Sequence, residues 1–280
     1  MKTLGYYNGK IDELDKITVP MLDRASYFGD GVYDVTFCRN YKVYKLREHV
    51  ERIFASAALL KIHPVITPDA LCELIETLVK KLDDGELWVY FQFSRGTDFR
   101  NHAFPENAKP NLWIMLRPAK IKDTYRELRV ITREDTRALH CNIKSLNLLP
   151  SVMATQACVD AGVDECILHR DDIVTECAHS NVSILKNGTL FTHPANELIL
   201  AGTGRAHLMA ACHHFNIPVV ERPYTLEELK AADEVILTSA SSLCMRIVEV
   251  DGDAVGQKAP QTLKTLQDYL LADFVNATEK

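Results

Sequence analysis

A single lysine, Lys144, stands in the apolar stretch CNIKSLNLL (residues 141–149), next to Ile143 and close to three leucines. Burial among apolar side chains disfavours a charged ammonium, and a neutral amine is the nucleophile that forms a Schiff base with an aldehyde. A lone lysine on a strand is, however, far more often solvated than nucleophilic. The stretch by itself therefore favours a surface residue, and partner groups must decide between the two interpretations.

Two further features of the sequence suit an aldehyde that carries a ring nitrogen and a phosphate. The carboxylate of Glu176, in IVTECAHSN, ends a β-rich apolar run. If the aldehyde is pyridoxal phosphate, such a carboxylate faces the pyridine nitrogen and keeps it protonated. Gly202-Thr203-Gly204-Arg205 precedes a predicted helix, where free backbone N–H groups bind phosphate. Each feature also has a common alternative, because exposed strand-end carboxylates and glycine-bounded helix starts are ordinary.

The first part of the chain, which must position some of these groups, predicts an α+β arrangement. Asn8-Gly9 is the preferred dipeptide of a tight hairpin turn. Strands are predicted by runs of β-forming residues, and helices by apolar residues at helical spacing. In chain order these are strands at 31–38 and 41–46, helices from Glu48 and from Thr67-Pro68, and strands at 87–96 and 111–118.

The second part of the chain follows a predicted linker at 118–124 and again mixes strands with helices. Asn187-Gly188 marks a hairpin turn, and Thr225 with Glu228 has the spacing of a helix capping box. The predicted elements are a strand at 128–132, a helix at 152–160, hairpins at 165–177 and 181–193, a helix at 205–215, strands at 218–222, 234–241 and 246–253, and a helix at 259–276. We expect two domains, 1–117 (α+β) and 125–280 (α/β).

Composition excludes several classes of protein. A net charge of −6 without a basic stripe argues against nucleic acid as a partner. No apolar run reaches the roughly 20 residues of a membrane helix, and the start of the chain lacks the apolar core of a secretory signal. Eight dispersed cysteines without a C-x-x-C pair predict reduced core thiols in the cytoplasm. His213-His214, the only adjacent histidine pair, points to different faces of a helix, so no metal site is predicted.

Taken together, these residues and their neighbours resemble the fold-type IV pyridoxal-phosphate aminotransferases, and among them most of all the D-amino acid aminotransferases. The matching stretches cover essentially the whole chain in order. They are DRASYFGDGVYDV (23–35), EHVERIFASA (48–57), YFQFSRGTDFRNHAFPEN (90–107), CNIKSLNLL (141–149), CILHRDDIVTECAHSNV (166–182) and THPANELIL (192–200). The resemblance implies a two-domain fold with the cofactor between the domains.

The resemblance also implies roles for individual residues at the cofactor. Lys144 would hold pyridoxal 5′-phosphate as a Schiff base and move a proton between the substrate Cα and the cofactor. Glu176 would pair with the pyridine nitrogen, and Arg52 would reach the phosphate, although it lies off the apolar stripe of its helix and would otherwise be a solvated charge. The remaining expected cofactor contacts are Ser180, Leu200, Thr203, Gly204 and Ser241.

On the substrate side, the resemblance implies that Tyr33, Arg100 and His102 receive the α-carboxylate. A planar guanidinium can grip a carboxylate with two hydrogen bonds, and a phenol and an imidazole can supply further donors. Without the resemblance, FRNHAFPEN would indicate a solvated loop. In the D-amino acid aminotransferases this loop comes from the neighbouring subunit, which implies a homodimer.

Two departures from the family pattern concern the phosphate. Thr203-Gly204 stands where an apolar residue followed by threonine is usual, so one hydroxyl contact would be lost while backbone donors remain. Ala240-Ser241 replaces a hydroxyl-rich pair, and Ser239 and Ser242 are nearby substitutes.

Three other departures concern the substrate. His179 stands where serine is common, and it adds an imidazole beside the cofactor region. Asp34 and Phe37 differ from the glutamate and lysine that commonly follow the tyrosine. These departures bear on substrate range more than on cofactor identity.

The sequence therefore predicts a cytoplasmic transaminase that moves the amino group of a D-amino acid, such as D-alanine or D-glutamate, to a 2-oxo acid by a ping-pong mechanism. Two alternatives share the fold. A branched-chain L-amino acid aminotransferase conflicts with Arg100 and His102, and an aminodeoxychorismate lyase matches the sequence less closely. A non-catalytic protein that only binds pyridoxal phosphate conflicts with the Lys144/Glu176 pair, because binding alone needs no proton shuttle.

Overall fold

The protein is described by a computed structural model that covers residues 1–279. The chain forms two compact units. The first consists of Met1–Lys120, Ile143–Asn147 and the chain from Phe274 on, and the second of Ile121–Asn142 and Leu148–Asp273. Among the described residues, every helix is too short or too polar to cross a membrane.

The first unit contains a six-stranded antiparallel sheet in the order β2-β1-β6-β5-β3-β4. The predicted turn at Asn8-Gly9 is confirmed, since both residues have positive φ and join β1 to β2. The strands are β1 (Leu4–Tyr7), β2 (Lys10–Asp12), β3 (Gly31–Arg39), β4 (Lys42–Val43), β5 (Leu87–Ser94) and β6 (Asn111–Pro118).

Helices cover the core of this sheet. A short helix, α1 (Ala25–Phe28), precedes β3, and α2 (Leu46–Leu59) and α3 (Pro68–Val79) follow β4. The buried stripes of α2 and α3 join the strands in one apolar cluster. The Thr67 hydroxyl accepts a hydrogen bond from the Ala70 N–H at 3.2 Å, so the predicted helix start at Thr67-Pro68 is confirmed.

The second unit contains a nine-stranded mixed sheet in the order β12-β11-β10-β13-β14-β7-β8-β9, with β15 paired to β14. Three of its pairs are parallel: β11 with β12, β14 with β7, and β7 with β8. The strands are β7 (Leu128–Glu134), β8 (Glu165–Arg170), β9 (Ile173–Cys177), β10 (Asn181–Lys186), β11 (Thr189–Thr192), β12 (Val219–Glu221), β13 (Glu234–Thr238), β14 (Met245–Val250) and β15 (Asp253–Ala254). Both predicted hairpins, β8–β9 and β10–β11, are present.

The second unit also contains α4 (Leu149–Ala161), α5 (Thr203–His214) and α6 (Leu226–Lys230), and α7 (Pro260–Ala277) begins there and ends in the first unit. Side chains of α5 and α7 form one apolar cluster with β10, β11 and β13. The capping box predicted for α6 is confirmed, because the Thr225 hydroxyl accepts from the Glu228 N–H and the Glu228 carboxylate accepts from the Thr225 N–H.

The structure differs from the predicted division of the chain at one point that matters for the site. The predicted boundaries place residues 143–147 with the second domain, whereas the structure packs them in the first unit. Backbone hydrogen bonds are the reason. The Tyr33 N–H donates to the Lys144 carbonyl at 2.9 Å, and the Leu146 N–H donates to the Gly31 carbonyl at 3.0 Å. The segment therefore runs along β3.

Candidate active site

Lys144 is held at both its main chain and its ammonium group. Its backbone N–H donates to the hydroxyl of Ser56, a buried residue of α2, at 3.2 Å. Its Nζ lies 4.4 Å from the centroid of the Tyr33 ring, within range of a cation–π interaction. Tyr33 stacks in turn on Tyr90, with the ring centroids 5.5 Å apart. The predicted nucleophile is therefore half-buried and fixed against an aromatic pair.

Two of the three leucines that follow Lys144 in its stretch are exposed. Leu149 is 72% exposed and Leu148 is 37% exposed, because these residues begin α4, whose first turn accommodates Pro150. Ile143 packs against the apolar cluster of the first unit. The contacts of Lys144 that the structure shows are with the Tyr33 ring and with Ser56 of α2.

Arg52 is a partner of a buried carboxylate rather than a solvated helix charge. Its Nε donates to Asp34 Oδ2 and its Nη2 to Asp34 Oδ1, both at 2.8 Å. Asp34 is fully buried, and the Arg52 side chain is only 15% exposed. Burial raises the pKa of Asp34, but the charge and hydrogen bonds of Arg52, followed by those of His49, hold that pKa well below its ordinary value. The predicted reach of Arg52 to a phosphate stays a prediction.

His49 completes this cluster and was not predicted. Its Nδ1 lies 2.8 Å from Asp34 Oδ1, and the ring is buried. Burial lowers the pKa of His49, and Asp34 offsets only part of that shift. The available sequence signal was its position three residues before Arg52, which places both side chains on one helix face.

Glu176 lies buried in β9 and accepts hydrogen bonds at both oxygens. Its Oε2 accepts from the Asn181 amide at 2.9 Å and from the Leu200 N–H at 3.1 Å. Its Oε1 accepts from Arg137 Nη1. The Asn181 amide also donates to the Leu200 carbonyl at 2.9 Å. The structure thus brings together the predicted residues Glu176 and Leu200 and adds Asn181 and Arg137, which sequence reasoning missed.

Arg137 is itself fixed by a second carboxylate. Its Nε and Nη2 donate to the two oxygens of Asp135 at 2.9 and 2.8 Å, and Thr175 donates to Asp135 Oδ2 at 3.0 Å. Burial raises the pKa of Asp135, but the hydrogen bonds and charge of Arg137 outweigh burial and leave that pKa below its ordinary value. A guanidinium in contact favours the ionised form of a carboxylate, so Arg137 supports an anionic Glu176.

The start of α5 is closely packed at two glycines. A Cβ added to Gly202 would collide with Asn181 Oδ1, and one added to Gly204 would lie 3.0 Å from the Ser239 nitrogen. Glycine at both positions therefore allows this close packing without displacing a neighbour. Predicted Thr203 and Gly204 form the first turn of the helix, where backbone N–H groups are available to an anion.

The loop after β13 brings hydroxyl groups to this place. Ser239 Oγ and Ser241 Oγ lie 3.2 Å apart, and the Ser242 N–H donates to Ser239 Oγ at 3.2 Å. Among the described residues, the buried Ser242 hydroxyl makes no hydrogen bond. Such an orphaned hydroxyl is rare in a native structure, so Ser242 is a candidate donor to a bound group. The contact of these hydroxyl groups with a phosphate stays a prediction.

Ser180 and His179 share a partner that the sequence did not suggest. Ser180 Oγ donates to Glu165 Oε2 at 3.1 Å, and His179 Nδ1 lies 2.8 Å from the same oxygen. Glu165 is buried, whereas the His179 side chain is 48% exposed. The structure thus accounts for the unusual histidine as a ring oriented by a buried carboxylate, while the contact of Ser180 with a cofactor stays a prediction.

The three residues expected to receive a substrate carboxylate are found in two places. Tyr33 lies with Lys144, as described above. Arg100 and His102 gather around Phe28, with the guanidinium carbon and the imidazole centroid each 5.0 Å from the Phe28 ring centroid. Both side chains belong to exposed residues of the loop between β5 and β6. The structure therefore brings Arg100 and His102 together and leaves them open to a ligand.

Comparison with known proteins gives one consistent result. The profile of the family described as amino-transferase class IV matches residues 31–250. The D-alanine aminotransferase of Listeria monocytogenes serotype 4b (strain F2365) is 36% identical over 277 residues, which cover 96% of each chain. That of Staphylococcus epidermidis (strain ATCC 35984) is 38% identical over 271 residues, covering 94% of this chain and 95% of the relative. The branched-chain amino acid aminotransferase of Escherichia coli has a TM-score of 0.90 at 21% identity, with 100% of this chain and 97% of that chain covered. This last likeness establishes the fold.

Proposed function

Because the chain belongs to the class IV aminotransferases, we propose that it transfers the amino group of a D-amino acid, such as D-alanine or D-glutamate, to a 2-oxo acid. The chain is an aminotransferase of fold type IV, and the cofactor of its family is pyridoxal 5′-phosphate. The full-length likeness to proteins named D-alanine aminotransferase carries the proposal. Two half-reactions with one amino donor and one acceptor make the mechanism ping-pong.

The residues present fit this cofactor. The amine that it requires is Lys144, and the carboxylate for its ring nitrogen is Glu176, buried and paired with Arg137. The glycine-lined start of α5, with the unpartnered Ser242 hydroxyl among the described residues, suits its phosphate. When bound, the cofactor supplies an electron-accepting ring that stabilises the negative charge left at the substrate Cα.

Lys144 would have two tasks, covalent attachment of the cofactor and transfer of a proton at the substrate Cα. Both tasks need a neutral amine with a restricted approach. The Ser56 hydroxyl fixes the Lys144 backbone, and the Tyr33 ring borders Nζ. This placement limits the directions from which Nζ reaches a bound substrate, and restricted approach contributes to rate.

Glu176 would keep the ring nitrogen of the cofactor protonated. Two neutral donors and the guanidinium of Arg137 maintain its carboxylate as an oriented anion. The Asp135 carboxylate in turn holds Arg137 in place. An anion fixed in this way stabilises a positive charge on the ring nitrogen without reorganising during the reaction.

Arg100 and His102 would bind the substrate α-carboxylate, and we propose that they do so for the neighbouring subunit of a homodimer. Exposed apolar side chains support a partner surface. Phe99 and Phe104, beside these residues, are 79% and 57% exposed. On α4, the exposed large apolar side chains are Leu149, Val152, Met153 and Val159. Apolar surface concentrated on one element is typical of an interface.

We further propose that the protein acts in the reducing cytoplasm. Its eight cysteines are free thiols, and six of them are buried. Burial raises the pKa of Cys38, Cys166 and Cys212 to about 12, so these thiols are poor nucleophiles. Such thiols support a packing role in a reducing compartment.

A panel of amino donors tests the proposed function. Purified protein loaded with pyridoxal phosphate is incubated separately with D-alanine, D-glutamate and L-leucine, with pyruvate or 2-oxoglutarate as acceptor, and 2-oxo acid formation is measured. Lys144→Ala serves as the control for background transamination. We expect a D-amino acid to react fastest. Faster turnover of L-leucine would favour a branched-chain aminotransferase, and product release without use of a 2-oxo acid would favour a lyase.

A further inference from the structure

Arg24 connects the interior of the first unit to the loop that carries Arg100 and His102. Its side chain is only 3% exposed, yet its Nη1 donates to the carbonyl of Asn101 at 2.6 Å. Asn101 is the residue between Arg100 and His102. The Arg24 backbone N–H also donates to the Gly96 carbonyl, at the start of the same loop, at 2.9 Å. One residue thus holds both the beginning and the middle of the loop.

Asp30 fixes the direction of the Arg24 side chain. Its Oδ2 accepts from Arg24 Nε and from Arg95 Nε, each at 2.8 Å. Arg95, at the end of β5, donates further to the carbonyls of Leu60 and Lys61 at 2.9 and 3.2 Å. A buried guanidinium is tolerated when it is paired and hydrogen-bonded. Asp30 pairs with both Arg24 and Arg95, and backbone carbonyls accept further hydrogen bonds from each of them.

Two aromatic rings add contacts to the arginines of this region. The guanidinium carbon of Arg24 lies 4.8 Å from the Phe28 ring centroid, the same ring that Arg100 and His102 contact. The guanidinium carbon of Arg95 lies 3.6 Å from the ring centroid of Phe104. Both contacts are within the range of cation–π interactions.

We infer that Arg24 is a positioning residue that sets where Arg100 and His102 present their N–H groups to a carboxylate. Residues 99–104 are exposed and have no regular secondary structure, so their position depends on a small number of contacts, those with Arg24, Phe28 and Arg95. A hydrogen bond from a buried, doubly oriented guanidinium to Asn101 restricts the backbone between the two ligands. Misplacement of substrate-binding groups by about 1 Å can cost roughly a hundredfold in rate. The inference relies on the proposed function only for the nature of the ligand.

The test compares Arg24→Gln and Arg24→Lys with wild type in the holoenzyme. Hydrogen–deuterium exchange followed by mass spectrometry measures how fast the backbone amides of the loop exchange. Steady-state kinetics with D-alanine measure KM and kcat. In Arg24→Gln we expect exchange in the 97–104 peptide to rise about tenfold or more, while peptides of β5 stay unchanged. The KM should rise roughly tenfold to a hundredfold with kcat changed much less. In Arg24→Lys both the exchange rate and KM should lie between those of wild type and Arg24→Gln, because an ammonium can reach either the Asn101 carbonyl or the Asp30 carboxylate but not both.

Two further variants serve as a control and as a second test. Arg47→Gln removes an exposed arginine that pairs with Asp69 in the same unit, so it controls for the loss of a positive charge. Asp30→Asn keeps the shape of the anchor but weakens its grip on Arg24, and it should also raise loop exchange even if Arg24→Gln does not fold. Unchanged loop exchange and unchanged KM in the folded Arg24 variants would overturn the inference. A wild type inactive on every D-amino acid would refute the proposed function instead, and the exchange measurement would still decide the role of Arg24.

Discussion

Asp34 and Arg52 form a buried two-point ion pair, with Arg52 Nε and Nη2 each 2.8 Å from one carboxylate oxygen of Asp34. Asp34 is fully buried, and its Oδ1 also accepts from the Val35 N–H at 2.7 Å and lies 2.8 Å from Nδ1 of the buried His49 ring. The carboxylate is shorter than the glutamate usual in the related family, yet it satisfies the planar fork of the guanidinium. The pair therefore orients Arg52 before any ligand binds.

Asp34→Asn should destabilise the protein by about 3–5 kcal/mol, because it leaves the buried guanidinium of Arg52 without its counter-charge. The measurement is the free energy of unfolding from urea titration, with cofactor present in excess. Arg47→Gln, which breaks an exposed ion pair between α2 and α3, should cause little change. Equal losses in the free energy of unfolding for the two substitutions would show that the buried pair stabilises the protein no more than the exposed pair.

Acid should destabilise the protein in two steps. The pKa of His49 in the fold lies below its ordinary value of 6.5, so the stabilisation from a neutral His49 is complete above pH 6.5 and declines as the pH falls towards the lower folded value. The pKa of Asp34 also lies below its ordinary value of 3.8, so a second loss begins only below that pH. Urea unfolding between about pH 7.5 and pH 5 should detect the first step. His49→Gln should flatten it, and a wild-type stability that is constant over this range would contradict the assignment.

Glu176→Gln should lower kcat by roughly a hundredfold to ten-thousandfold, because a neutral amide supports a protonated ring nitrogen poorly. Its amide oxygen can still accept from the Leu200 N–H, so the cofactor should remain bound. Single-turnover kinetics and the visible spectrum of the loaded protein measure the two effects separately. A variant with normal kcat would exclude the proposed role of Glu176.

Arg137→Met should lower the stability of the protein, because it removes the cation that pairs with Glu176. It leaves Glu176 and Asp135 buried without their shared guanidinium, and breaking a buried pair in this way costs about 3–5 kcal/mol. Thermal unfolding of the variant, compared with Arg126→Met at an exposed ion pair of the same unit, checks this prediction. A melting temperature no lower than that of the control would contradict it.

Lys144→Ala should abolish the visible absorbance that comes from covalently held cofactor and lower turnover by at least about a thousandfold. Ser56→Ala removes only the hydroxyl that accepts from the Lys144 N–H, and it should reduce turnover modestly while the absorbance persists. Absorbance titration with pyridoxal phosphate and stopped-flow assays provide both readouts. Unchanged absorbance in Lys144→Ala would mean that another amine holds the cofactor.

Heterodimers test whether Arg100 and His102 serve the neighbouring subunit. Chains carrying Lys144→Ala and Arg100→Ala are co-expressed with different tags and isolated as mixed dimers. One of the two sites would then combine an intact Lys144 with an intact loop, so the mixed dimer should recover about half of the wild-type activity. A mixed dimer of Arg100→Ala and His102→Ala has a defective loop at each site and should stay inactive. Lack of recovery in the first pair would place the loop in its own subunit's site.

The sequence by itself determined the local structure and the chemical groups. The Asn8-Gly9 turn, the Thr67 cap and the capping box of Thr225 with Glu228 all depend on residues within four positions of one another, and all are present as predicted. Lys144 and Glu176 stood out because their residue types and neighbours restrict the chemistry that they can perform. Such features can be recognised without knowledge of the rest of the fold.

Only the tertiary structure decided which residues form ion pairs and hydrogen bonds with these groups. Arg137 meets Glu176 across 39 positions of the chain, and Arg24 meets Asn101 across 77. Neither pairing can be recognised from the sequence, because an ion pair or a hydrogen bond depends on distance in space. It does not require any regular spacing of residues along the chain. The same reason explains why Leu148 and Leu149 are exposed while Arg52, which lay off the apolar stripe, is largely shielded from solvent beside Asp34.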